Sequence, residues 1–133
     1  MSKPTMTDAP DCSAAALADS IETVGEVERL IQHLTNRVTI SDLADITLNW
    51  GALPVMADGP NDGPEMTAAA GAVLLNTGQV NGSISEALIE TGIAASERGL
   101  PVVLDPVGMG STPTRNGLVE RLVKEVDLAA IKG

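Results

Sequence analysis

Aromatic residues are nearly missing from this sequence of 133 residues, which has no Phe, no Tyr and a single Trp, Trp50. Proteins that bind single-stranded nucleic acids stack the bases on aromatic side chains, so the composition argues against this mode of binding. Basic residues are also scarce: eight Lys and Arg stand against eighteen Asp and Glu, a formal net charge of −10. So acidic a surface repels nucleic acids and anionic membranes. We therefore expect neither as a partner.

Lysine is rare too and occurs only at positions 3, 124 and 132. An acidic, lysine-poor composition resembles that of proteins from salt-loving organisms, whose surfaces stay soluble under strong screening. An ordinary acidic protein of the cytosol has the same signature, and charge composition alone does not separate the two.

The single cysteine, Cys12, excludes an internal disulfide. The sequence has no run of about 18 apolar residues, as a membrane-spanning helix would need, and no secretion signal. We therefore expect a cytoplasmic protein. Residues 1–12 contain two prolines and few apolar groups, which predicts a flexible leader before a single domain over residues 13–133.

Apolar residues in the rest of the chain follow helical and strand-like spacings. In residues 14–32, for example, Leu17, Ile21 and Ile31 belong to a set spaced three or four apart, which predicts one long helix. Further helices are predicted over residues 42–50, 64–71, 83–98 and 115–126, and strands over residues 53–57, 72–75, 102–104 and 128–131.

Capping residues mark several of these boundaries. Ser41 is the predicted N-terminal cap of the second helix, and Gly51 its end. Ser83 and Glu86 have the spacing of a capping box, and Gly99 stands where a left-handed cap ends the same helix.

Apolar strands that alternate with amphipathic helices predict a doubly wound α/β fold, with a mainly parallel sheet and helices on both faces. The sheet looks incomplete, because the chain ends two residues after the last predicted strand. We therefore expect a fragment, or a sheet completed by another chain, and an exposed apolar surface near residues 128–131.

In such sheets ligands bind at the carboxyl ends of the strands. This rule selects residues 56–59, 76–78, 105–112 and 132–133. In the third of these, Asp105 ends a strand and is followed by Gly108 and Gly110 before a helix begins. The glycines would let backbone N–H groups approach an anion, and the carboxylate could hold Mg²⁺. A capped turn with a structural Asp is the alternative.

Two other residues have simple structural explanations. His33 follows the predicted first helix, where a histidine usually makes a favourable contact with the helix dipole rather than acting in catalysis. Met56 lies on a predicted buried strand, where methionine usually fills the core.

Taken together, several segments resemble the hydroxyethylthiazole kinase family. They keep the order and approximate spacing of that family from about residue 31 to the end of the chain. The segments are residues 34–39, 51–57, 65–66, 71–78, 101–112 and 128–133.

This resemblance implies a ribokinase-like fold, of which residues 13–133 would be the N-terminal half. It also implies ATP-dependent phosphorylation of the hydroxyl of 4-methyl-5-(2-hydroxyethyl)thiazole in thiamine biosynthesis or salvage, with Mg²⁺, by a homotrimer whose active sites lie between subunits. Met56 would then be the methionine of the thiazole site and Asn36 a polar contact of the substrate. Asp105 would lie near Mg²⁺ and the phosphates, and Lys132 near the ATP phosphates.

The sequence departs from the family pattern at several positions. Gln32 stands where the family usually has His, and Thr77-Gly78-Gln79 replaces the usual Ile-Gly-Thr. By resemblance, the family continues for as many residues again, with a glycine-rich anion hole, the group that activates the hydroxyl and most of the nucleotide pocket. We therefore assign no catalytic residue here and expect this chain alone to be inactive. A non-catalytic thiazole-binding or interaction remnant, or a kinase of another vitamin precursor, are the alternatives.

Overall fold

The structure, a computed structural model, describes residues 10–133. Of the flexible leader predicted for residues 1–12, residues 1–9 lie outside the described residues. Residues 10–12 are described and are exposed. Within residues 10–133, no helix is both long enough and apolar enough to cross a bilayer.

Helices and strands alternate along the described chain. The helices are α1 (Ala14–Val27), α2 (Ile40–Asn49), α3 (Asp62–Met66), α4 (Gly82–Glu97) and α5 (Pro113–Glu125). The strands are β1 (Leu30–Leu34), β2 (Leu53–Val55), β3 (Ala72–Asn76), β4 (Val102–Asp105) and β5 (Ala130–Ile131).

The strands form one sheet in the order β2-β1-β3-β4-β5, and every neighbouring pair is parallel. The chain leaves β1 toward one edge of the sheet and then crosses back, so its direction reverses between β1 and β3. Ligands of doubly wound sheets bind at this switch point. The predicted α/β fold is therefore confirmed, and the order of strands points to the carboxyl ends of β1 and β3.

The main core lies between the sheet and one helical layer. Helices α3, α4 and α5 pack side by side, and α4 lies on β3 and β4. Burial of one leucine contributes about 1.5–3 kcal/mol. Because the cluster of buried apolar side chains lies here, this core supplies most of the hydrophobic stabilisation. Its fully buried members include Leu75, Leu88, Leu104, Leu122 and Val102.

Right-handed crossovers place α2 on the opposite face of the sheet. Helix α1 approaches the end of α2, because Gly25 packs against Gly51, a positive-φ residue at 85° whose Cβ would lie 2.6 Å from the Gly25 Cα. This second layer is poorly covered, and α1 has no buried residue. We call its half-exposed apolar side chains the α1–α2 face; they are Leu17, Ile21, Val27, Ile46 and Trp50.

The prediction of one helix over residues 14–32 is wrong. Helix α1 ends at Val27, and Glu28 takes a left-handed conformation with φ of 48°. The next residues form β1, a strand in the interior of the sheet, paired with both β2 and β3. The helical spacing of Ile31 is thus accidental, and His33 is not at a helix terminus.

Other predicted boundaries shift by a few residues. Helix α2 begins at Ile40, so Ser41 is not its cap, and Asn81 rather than Ser83 caps α4 through a 3.0 Å bond from Ile84 N to its Oδ1. The left-handed cap at Gly99 is confirmed, with φ of 69°. The last strand is shorter than predicted. Strand β5 forms the edge of the sheet, where Ala130 and Ile131 are exposed, as the sequence led us to expect.

His33 is buried on β1 and has a defined tautomer. Its Nε2 lies 3.1 Å from the Thr47 hydroxyl, which already donates to the Leu43 carbonyl at 2.7 Å. Nε2 must therefore carry the proton. Nδ1 has no partner among the described residues, and burial lowers the pKa of the imidazole below its usual 6.5.

We expect acid to destabilise the protein through His33. Its folded-state pKa is depressed, so the unfolded chain binds the proton more readily. Its stabilising contribution is present above about pH 6.5 and is lost as the pH falls toward the folded-state pKa, with a slope of at most about 1.4 kcal/mol per pH unit. Urea unfolding of wild type and His33→Gln between pH 5.5 and 7.5 measures this. Gln keeps a donor for Thr47 but does not titrate, so its profile should be flatter; equal slopes would contradict the prediction.

Candidate functional site

One cavity of about 680 Å³ opens at the carboxyl ends of β1, β3, β4 and β5. It therefore lies at the switch point that the order of strands indicates. Three residues predicted from the sequence line it, namely Asn36, Asp105 and Lys132. The other lining residues are Arg37, Val38, Thr39, Leu43, Leu74, Asn76, Gly78, Gln79 and Val107.

A line of hydrogen bonds between side chains crosses three strand ends in this cavity. Asn36, just after β1, donates from Nδ2 to Oδ1 of Asn76 at 3.1 Å. Asn76, the last residue of β3, donates from Nδ2 to Oδ2 of Asp105 at 3.3 Å. Asp105 is the last residue of β4. We call these three residues the amide–carboxylate line.

Lys132 follows β5 and extends this line to a fourth strand. Its Nζ lies 3.0 Å from Asp105 Oδ2, and its side chain is 72% exposed. Such an exposed pair contributes little to stability, because solvent screens it and the lysine loses conformational freedom. Lys132 can therefore leave Asp105 for another anion at small cost.

The residues present fit a magnesium ion that is held mainly by a phosphate ligand. Both side-chain donors bind Oδ2 of Asp105, and Oδ1 has no hydrogen-bond partner among residues 10–133. The described residues contain no cluster of three or more His, Cys, Asp or Glu suited to a metal cage. Mg²⁺ commonly binds through one or two carboxylates together with substrate phosphates, which one carboxylate at this position could serve.

The loop between β4 and α5 has the backbone that its glycines predict. Gly108 and Gly110 have φ of 79° and 91°, values that L-residues rarely adopt. Thr112 caps α5 through Arg115 N, and Asn116 Oδ1 accepts from Gly110 N at 2.7 Å. Side chains at the start of α5 thus fix the loop.

Arg115 joins this loop to the loop after β3. Its guanidinium donates to the carbonyl oxygens of Thr77 at 2.7 Å, Gly78 at 3.4 Å and Val107 at 3.5 Å. Thr77 Oγ1 also donates to Val107 O at 3.0 Å. Gly78 and Val107 line the cavity. Arg115 therefore links the two loops that carry these lining residues, without lining the cavity itself.

The structure does not bring every predicted residue into this cavity. Gly108 and Gly110 are exposed in the same loop as Asp105 but do not line the cavity. Met56 follows β2, the edge strand beside β1, and is half-buried outside the cavity. Sequence reasoning missed Asn76 and Arg115 as individual residues. The position of Asn76 directly after an apolar strand was the available signal for it.

Alanine substitutions in the loop should rank by conformation and space. Gly108→Ala meets both strain and the Arg115 side chain, 2.9 Å from its new Cβ, whereas Gly110→Ala meets strain alone. Left-handed backbone costs a side chain about 1–2 kcal/mol, so both should destabilise, Gly108→Ala more. Gly117→Ala is the control, because it lies in α5 with open space around it and should stabilise by about 0.5–1 kcal/mol. Urea unfolding gives the order; equal effects at positions 108 and 110 would exclude the Arg115 contact.

Comparison with known proteins gives one consistent family. The family model described as the hydroxyethylthiazole kinase family matches residues 21–133. The hydroxyethylthiazole kinase of Natronomonas pharaonis is 40% identical over 121 residues, 91% of this chain. That of Methanoculleus marisnigri is 47% identical over 104 residues, 78% of this chain.

The chain spans less than half the length of these relatives, 44% of the first and 37% of the second. Its fold is similar to a solved hydroxyethylthiazole kinase protein from Pyrococcus horikoshii OT3, with a TM-score of 0.82 and 31% identity over 86% of this chain and 45% of that one. Sequence match and fold agree, and the chain belongs to the hydroxyethylthiazole kinase family.

Proposed function

We propose that the protein takes part in the ATP-dependent phosphorylation of the hydroxyl of 4-methyl-5-(2-hydroxyethyl)thiazole, in the biosynthesis or salvage of thiamine. One observation supports this beyond family membership. The amide–carboxylate line and Lys132 place an amide, a carboxylate and an ammonium group along one cavity at the switch point of the sheet. A phosphoryl transfer between a polar alcohol and a polyphosphate needs such groups for positioning and charge stabilisation.

In this proposal each site residue that the sequence predicted has a binding or positioning role. Asn36 contacts the alcohol substrate, and Lys132 moves from Asp105 to the ATP phosphates. Asp105 holds Mg²⁺, which when bound neutralises charge on the phosphates. The loop of Gly108 and Gly110 lies near the phosphates, and the N–H of Gly108 is the one available to them, because the N–H of Gly110 donates to Asn116 Oδ1. Met56 contacts the thiazole ring in a site completed by another subunit, because Met56 itself does not line this cavity.

The alcohol itself has a second candidate, another vitamin precursor phosphorylated by the same chemistry. Gln79 lines the cavity at a position where the resemblance leads us to expect Thr. A longer amide there changes the shape and hydrogen bonding of the wall beside Asn36. The cytoplasm, where ATP is available, is the proposed site of action.

A coupled assay of ADP release tests the function on the protein as its gene encodes it and on the 133-residue chain alone. The encoded protein should phosphorylate hydroxyethylthiazole with MgATP. We expect the chain alone to be inactive, because residues 10–133 offer no identified group to take the hydroxyl proton and only one candidate anion-binding loop. Asp105→Asn in the encoded protein should lower kcat by about 10²–10³, the usual cost of one electrostatic group. Asp127→Asn, an exposed change after α5, should leave kcat unchanged.

The other outcomes each point to a different conclusion. Turnover by the 133-residue chain would place the catalytic groups within it. Phosphorylation of a different precursor alcohol would keep the reaction and change the substrate. Binding of thiazole without any phosphorylation would identify a non-catalytic binding remnant.

The homotrimer implied by the resemblance has a candidate interface in the α1–α2 face. Contiguous exposed apolar side chains often mark interfaces between proteins. We expect Ile46→Asp in the encoded protein to lower the mass measured by light scattering from trimer to monomer. Val123→Asp makes the same kind of change at a half-exposed valine on α5, across the sheet, and should leave the trimer intact. A trimer that survives Ile46→Asp would place the interface elsewhere.

A further inference from the structure

The residue between Asn36 and Asp105 has no role in the function proposed above, although it is the best-buried polar side chain of the cavity. Asn76 is only 6% exposed. Its amide contacts the residue assigned to the alcohol on one side and the residue assigned to the metal and phosphates on the other. We propose that Asn76 is a positioning residue that holds the Asp105 carboxylate in its working orientation, an inference that rests on the proposed function.

The direction of the Asn76 amide is fixed by the backbone. The N–H of Gly78 can only donate, and it lies 2.8 Å from the Asn76 Oδ1. The oxygen of this amide must therefore face Gly78, which turns Nδ2 toward Asp105. Asn76 thus presents a donor to the carboxylate.

The Asn36 amide is oriented in the same way. Its Oδ1 accepts from the backbone N–H groups of Val38 at 3.0 Å and Thr39 at 3.2 Å, so its Nδ2 must face Asn76. Both amides therefore point their donors along the line toward Asp105. The two hydrogen bonds of the line run in the same direction from donor to acceptor, and the last acceptor is the Asp105 carboxylate.

Glycine at position 78 is required by the same packing. A Cβ there would lie 2.8 Å from Nδ2 of Asn36 and 2.9 Å from Oδ1 of Asn76. Both distances are too short for real contacts, so a side chain at position 78 would force the two amides apart. The loop after β3 is thus built around this pair.

Asn76 is also the more durable of the two side-chain donors to Asp105. Lys132 is largely exposed, and in the proposed function it turns to the phosphates. Asn76 is then the one remaining side-chain donor to the carboxylate within the described residues. It keeps Oδ2 occupied and leaves Oδ1 for the cation when Lys132 has left.

One isosteric substitution breaks only the link to Asp105. Asn76→Asp keeps an oxygen for Gly78 N and for Asn36 Nδ2, but replaces the donor with a carboxylate oxygen that repels Asp105. In the encoded protein we expect kcat to fall by on the order of tenfold to a hundredfold, because a hydrogen bond to a charged group is lost. The KM for the thiazole alcohol should stay within about threefold, because the contacts of Asn36 remain.

Asn81→Asp is the matched control. It makes the same amide-to-carboxylate change at the N-terminal cap of α4, where the oxygen that accepts from Ile84 N is retained. Asp caps helices as well as Asn does, so kcat and KM should both be unchanged. If Asn76→Asp behaves like Asn81→Asp, the positioning role is overturned. A loss of kcat and a rise in the KM for the alcohol by the same factor would also overturn it, as a general disruption of the cavity.

A double substitution tests the contact without relying on activity. N76D/D105N exchanges donor and acceptor, so the amide at position 105 can again bind the carboxylate at position 76. Thermal unfolding should show a lower midpoint for N76D and recovery of most of the loss in N76D/D105N, which supports the pairing even if N76D alone fails to fold. A double variant no more stable than N76D overturns it. If the wild-type protein phosphorylates no alcohol, the proposed function fails, and this recovery alone decides whether Asn76 holds Asp105.

Discussion

The hydrogen bond between Asn36 and Asn76 is the contact on which the geometry of the cavity depends. It joins the ends of β1 and β3, the two strands between which the chain reverses direction. A parallel sheet leaves a crevice at this point, and polar side chains at strand ends must pair there or remain solvated. Because backbone N–H groups orient both amides, the pair points its donors toward β4. The hydrogen bond from Asn76 to the Asp105 carboxylate therefore depends on the loop conformations after β1 and β3.

The sequence predicted most of this fold because most of its strands are short apolar runs. Strands β2 to β5, helices α4 and α5 and the parallel arrangement all followed from spacing and caps. Strand β1 was missed because it carries Gln32 and His33, two polar residues in its middle. Both are buried and hydrogen-bonded: Gln32 donates to the carbonyls of Ala57 and Gly63, and His33 to Thr47. Tertiary hydrogen bonds make these residues compatible with an interior strand, and no local pattern reveals such partners.

The candidate site was likewise predicted only in part from the sequence. Asp105 and Lys132 were assigned by their positions after predicted strands, and Asn36 by the family resemblance; the parallel sheet brings all three to one cavity. Their mutual contacts depend on the order of strands, which the sequence did not predict. Met56 lies outside the cavity, after β2, at the edge of the sheet opposite β5. Arg115 was overlooked because its guanidinium binds backbone carbonyls. Every residue has such a carbonyl, so the sequence does not reveal which ones an arginine will bind.

The cavity has a local excess of positive charge in an otherwise acidic chain, as the proposed binding of a polyphosphate requires. Two of its lining residues are basic, Arg37 and Lys132, and one is acidic, Asp105, so its formal charge is +1 in a chain of −10. Arg115 adds a further positive charge behind the wall. A concave site of opposite sign to the surrounding surface concentrates the field on an incoming anion. Lys132 owes its place to β5, where its backbone N–H binds the Leu104 carbonyl at 2.8 Å. The pairing of this edge strand with β4 thus brings one of the two basic lining residues, Lys132, into the cavity.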